Sequence, residues 1–173
     1  MGFFTKENVS IKEVAEFLIE LSSNIQLVDS LKKTNESISI GKEEYRELLV
    51  FSIIPIMITI FSVFNDTKKA QDIFDRFYTD LVCKNFKNSE SQNEFNIFFE
   101  DRKNEYIEIY NTEKGENKFL SWSKFFCEKL FKKEQGSKNI INAVLADTIL
   151  SNRLTIAKEF LEGISKRFNI IIN

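Results

Sequence analysis

The hydrophobic positions of this chain recur mostly at steps of three and four residues, and 5 glycines and 1 proline are all that punctuate them. Such spacing lines apolar side chains along one side of a helix, whereas the alternation of a half-buried strand is hardly visible. The cleanest seam is Ile11, Val14, Leu18, Leu21, Ile25 and Val28. Ser10 and Glu13 stand at its head with the spacing of a capping box, so helix one is expected to start there and run to the end of the seam. The period fades over 32–41, which predicts a loop. A second helix is expected from 41 to about 65, and between Leu48 and Phe64 it is apolar on almost every side. Asp66 caps a third helix whose inner face carries Ala70, Ile73, Phe74, Phe77, Tyr78, Leu81 and Val82.

A polar turn at 85–92 leads to a fourth helix over about 94–110, with Phe95, Phe98, Phe99, Tyr106, Ile109 and Tyr110 in one stripe. A turn over 112–117 separates it from an aromatic-rich fifth helix over 119–131, which Gln135, Gly136 and Ser137 end. The rest, from about 139 to 168, reads as helix with a break expected at Ser151 and Asn152, because both residues compete for backbone hydrogen bonds. The tail 169–173 is expected to dock on the body. These patterns predict an all-α fold, one domain over 1–173: a bundle of about six helices around a strongly hydrophobic central helix kinked at Pro55.

The uncharged run 48–65 is close to membrane-spanning length. The amphipathic helices around it need something apolar to cover, so burial in protein is favoured over a membrane span. Ser52, Thr59 and Ser62 gather on one side of this helix.

Two charges fall on faces that should be buried. Arg102 lies inside the aromatic stripe of helix four, between Phe99 and Tyr106, and Asp147 lies with Ile140, Val144, Leu150 and Leu154 on the expected inner face of helix six. A buried Arg102–Asp147 ion pair resolves both anomalies and is the favoured reading. The alternative is a polar pocket for an anionic ligand, gripped by Arg102 with Tyr106, Trp122 and Asp147 beside it. Trp122 also heads an apolar arc with Phe119, Phe126 and Leu130, around which Lys118, Lys124, Lys129, Lys132 and Lys133 are arranged. A basic amphipathic helix can lie on a membrane, but core packing with solvated lysines is the favoured account.

Composition narrows the chemistry. At 173 residues the chain can bury a sizeable core. Its 24 basic and 26 acidic residues give a net charge of -2, which argues against nucleic acid as the main partner. Cys83 and Cys127 are far apart and form no CxxC spacing, as in a reducing compartment. Residues 1–6 lack the basic start and apolar stretch of a signal peptide, and Lys6 stands where a myristoylation motif needs Ser or Thr, so a cytoplasmic location is expected. The wealth of Ile, Lys, Asn and Phe fits an AT-rich, bacterial genome. Without histidine the chain lacks the commonest general base and transition-metal ligand, and a Glu-x-x-His di-iron site is closed to it.

No phosphate loop, nucleophile elbow or zinc-ligand cluster appears, so neither a cofactor nor a metal nor an enzymatic activity is expected. The leading expectation is a non-catalytic helical module that acts through a protein partner or self-association. The alternatives are a binding domain for a small or lipid-like hydrophobic molecule and, less favoured, a membrane-associated protein.

Overall fold

The computed structural model describes residues 7–23, 25–34, 40–113, 118–131 and 136–171, with the side chains at 25, 26, 34, 118 and 136–139 left out of account. The helix starts follow local chemistry. Strand β1 (Glu7–Ser10) leads into α1 (Ile11–Leu21) through the predicted capping box, in which the Glu13 amide donates to Ser10 Oγ at 3.2 Å and the Ser10 amide to Glu13 Oε2 at 2.8 Å. Helix one ends earlier than its seam suggests. The Ser22 hydroxyl donates to the Ile19 carbonyl at 2.8 Å, and the amides of Ser22 and Ser23 turn back to Leu18 and Glu20. Consecutive serines divert the backbone, and the chain starts afresh as α2 (Ile25–Thr34), which buries Leu27 and Leu31.

Helix α3 (Lys42–Val63) passes unbroken through Pro55 and is buried without a gap from Glu47 to Ile56. It packs against α4, α5, α6 and α7, so the helix apolar on all sides holds the centre. Ser52 and Thr59 are buried there because their hydroxyls donate to the carbonyls of Leu48 and Pro55, at 3.1 and 2.9 Å. Helix α4 (Thr67–Asn85) is capped by Asp66, whose carboxylate accepts from the amides of Lys68 and Lys69. Helix α5 (Ser89–Thr112) starts before the expected position, because Asn88 Oδ1 accepts from the Ser91 amide at 2.8 Å and caps it. Helix α6 (Lys118–Phe131) follows. The expected loop and turn residues at 35–39, 114–117 and 132–135, and the leader residues 1–6, lie outside the described residues.

The last helix corrects two expectations. Helix α7 (Gly136–Arg167) is continuous through Ser151 and Asn152, where the Arg153 guanidinium donates to the hydroxyl of Ser52 and the carbonyl of Ser23 and ties this stretch to α3 and to the end of α1. Tertiary contact thus overrides a weak local preference. Its inner face also differs from the predicted one. Leu150 is buried, but Ile140 and Val144 are 60% and 50% exposed, and the face toward the core is built on Ala143, Ala146, Leu150, Ala157, Leu161 and Ile164. The small alanines let α7 lie close against α6 and α3. Strand β2 (Phe168–Ile171) then pairs in parallel with β1, Glu7 opposite Phe168 and Ser10 opposite Ile171, and Ile170 is buried, so the tail is docked as far as Ile171, with 172 and 173 outside the described residues.

The seven helices and this two-stranded sheet make an all-α bundle whose buried apolar residues form one continuous cluster.

Candidate functional site

Arg102 is not joined to Asp147. From α5 its Nε donates to Glu47 Oε2 on α3 at 2.8 Å, and its Nη1 to Glu105 Oε2, one turn along, at 2.5 Å. The Tyr106 hydroxyl donates to the other Glu47 oxygen at 2.8 Å, and Lys129 on α6 reaches Glu105 at 3.2 Å. Trp122 is fully buried and donates its indole N–H to the Tyr106 backbone carbonyl at 2.7 Å, with its ring edge-on to the tyrosine. Three of the four sequence-selected residues therefore meet in one network, and Asp147 lies elsewhere.

The electrostatics follow from depth. Glu47 is 3% exposed, and burial pushes its carboxyl up, against the pull of the Tyr106 hydroxyl and Arg102. Burial, then the charge of Glu47, raises the Tyr106 phenol well above its ordinary value. For Arg102 burial works against the charge, but hydrogen bonds to Glu105 and Glu47 outweigh it and raise its pKa. Glu105 is likewise held below the usual carboxylate range by Arg102 and Lys129 despite its own desolvation. The opening onto this network, between Glu43, Glu44, Phe98 and Lys129, measures about 60 Å³. That admits a few waters, far short of the volume a drug-sized molecule occupies. The arrangement clamps α3 to α5 and α6, and Arg102 lies over the Phe98 ring at 5.2 Å.

Other reactive groups are muted. Burial pushes the Cys127 thiol up to about 12, so little thiolate forms near neutral pH. Cys83 is exposed on α4. Among the described residues no three Cys, Asp or Glu side chains are placed to hold a metal ion.

A different surface stands out on α7. From 140 to 156 its exposed positions are Ile140, Ile141, Val144, Thr148, Asn152, Thr155 and Ile156, none of them charged. The stripe is roughly 24 Å long at 1.5 Å per helical residue. By contrast, the exposed side of α5 carries Glu90, Glu94, Glu100, Asp101 and Glu108. Beside the α7 stripe lies Asp147, with Oδ1 occluded and without a hydrogen-bond partner among the described residues, and its carboxyl pushed up by burial. Both α3 and residues 140–167 are long and apolar enough to cross a membrane by length and composition, but 67% of the α3 window is covered by protein against 28% for α7. The apolar arc of α6 faces inward as well, with Trp122, Phe126 and Leu130 buried.

Sequence reasoning missed Glu47 and this stripe. Glu47 was signalled by its place just before the apolar run of the central helix, the nearest carboxylate to where a buried arginine needs one. The stripe was hidden by assigning the larger residues of α7 to the core. No protein-family model matches this chain, and no curated protein or solved structure does either.

Proposed function

We propose that this chain is a non-catalytic helical interaction module, and that its contact surface is the uncharged outer face of α7. The observation that carries the reading is the exposure of Ile140, Ile141 and Val144, at 60%, 57% and 50%, on a run of helix without an exposed charge. Contiguous exposed apolar surface marks contact sites, and depletion of charge at the centre with a polar rim is the anatomy of an interface. Side chains at three and four residue steps suit a helix laid alongside, from a partner or a second copy. Asp147 at the margin favours a facing side chain that donates a hydrogen bond.

Light scattering and gentle co-purification test this reading. The expected result is a defined oligomer or a stoichiometric complex that the double substitution Ile141→Glu and Val144→Glu dissociates while helicity by circular dichroism is unchanged. A monomer without a co-purifying protein, or an assembly indifferent to the substitutions, overturns it. Sedimentation with anionic liposomes that depends on these residues would transfer the surface to a membrane.

A further inference from the structure

A second feature lies away from the exposed stripe of α7. Helices α1, α2, α3 and α4 enclose a pocket of about 440 Å³, within the range of small-molecule sites. Its floor is apolar: Ile19, Leu49 and Leu81 are each at least nine-tenths buried, and Val28 is half-buried beside them. One wall is fixed by internal hydrogen bonds. The Tyr45 hydroxyl donates to Asn85 Oδ1, and Asn85 Nδ2 donates to the Leu81 carbonyl at 2.7 Å, so these groups are engaged before any ligand arrives.

The rim carries the discriminating chemistry. Lys84 and Asp29 both line the pocket and are both exposed, and neither forms a salt bridge among the described residues. On the same helices Lys42 and Arg46 pair with Glu94 and Arg76 with Asp80, while other exposed charges such as Glu20 and Lys68 form no salt bridge among the described residues; Lys84 and Asp29 differ from these in bordering one apolar pocket together. We propose that this pocket binds a zwitterion with an apolar body, of the class of α-amino acids with a large aliphatic or aromatic side chain. The carboxylate meets Lys84, the ammonium meets Asp29, and the side chain covers Ile19, Leu49 and Leu81. A purely anionic amphiphile satisfies Lys84 but leaves Asp29 unanswered, and a cationic one has the reverse fault.

Amide NMR of the full chain, titrated with L-phenylalanine and L-leucine, tests the assignment. Saturable shifts are expected at Ile19, Leu49 and Leu81. Affinity is expected to fall about ten-fold or more for 3-phenylpropionate and for phenethylamine, which each lack one charge, and glycine, without the apolar body, is expected not to bind. Lys84→Gln and Asp29→Asn, both at exposed positions, are each expected to weaken L-phenylalanine by about ten-fold, and Lys68→Gln at the far end of α4 to leave it unchanged. Absence of saturable shifts up to about 20 mM overturns the proposal, since weaker binding lies beyond any specific site. Equal binding of 3-phenylpropionate, or indifference to both rim substitutions, overturns it as well. None of these outcomes bears on the assembly state, so this proposal and the α7 reading fail separately.

Discussion

Glu47 shows how one buried charge organises its surroundings. Its carboxylate is desolvated in the centre of the bundle, and Arg102 and Tyr106 answer it from one face of α5. The folded chain holds a proton on Glu47 more tightly than the unfolded chain does, so burying this group costs little extra at low pH. The cost grows as pH rises through the raised folded value. Arg102→Met removes the main compensation. It is expected to cost about 3–5 kcal/mol near neutral pH, because a buried carboxylate is left without its cation. The deficit is expected to be smaller at an acidic pH just above the ordinary carboxylate range, because Glu47, its carboxyl raised by burial, takes up a proton before an ordinary carboxylate does. Urea denaturation of both proteins at the two pH values measures it; an equal deficit at both shows that Glu47 is not the group left uncompensated. Glu105, the other partner of Arg102, has its pKa lowered, so its contribution is lost below the ordinary carboxylate range and outside this window. At this scale the sequence was half legible. Arg102 announced itself as a charge on an aromatic face, but its partner depends on which helices touch, and spacing carries no such information.

Helices were legible where a cap marks their start and where one apolar face is broad. Ser10 and Asp66 are caps in both respects. The seam through Leu21 and Ile25 misled, since its period runs on in the sequence across the break at Ser22 and Ser23, whereas α2 buries Leu27 and Leu31. Helix α7 misled in the opposite sense. Hydrophobic bulk suggested Ile140 and Val144 for the core, but close approach to α6 and α3 selects alanine, and bulk is displaced outward. Ala146→Leu is therefore expected to destabilise the protein by about 1–3 kcal/mol through overpacking. Ile141→Ser, on the exposed face, is expected to change monomer stability by less than about 0.5 kcal/mol. Thermal or urea unfolding of the two variants distinguishes an inner face of alanines from the predicted face of large residues; the reverse order of costs refutes the packing described.

At the scale of the whole molecule, the all-α class follows from periodicity and from the scarcity of glycine and proline. The parallel sheet does not, because two four-residue strands at the far ends of the described chain leave no alternation long enough to read. Their pairing joins residues separated by nearly the whole bundle, so it closes the largest loop in the fold. Ile170 is the one buried side chain of β2. Ile170→Asp is expected to remove hydrogen-exchange protection at the β1 and β2 amides and to leave the centre of α3 protected. Loss of protection throughout would instead tie the ribbon to global stability.

Direction matters in that ribbon as much as position. Because β1 and β2 run in parallel, Glu7, the first residue of β1, lies at one end of the pair and Ile171, the last of β2, at the other. Tension applied across the chain therefore loads the ladder in shear, straining its hydrogen bonds together, whereas an antiparallel pair could be peeled open one bond at a time. A fold made almost entirely of helices thus meets a pulling force across the described residues first through its smallest element, where β1 and β2 are fastened side by side.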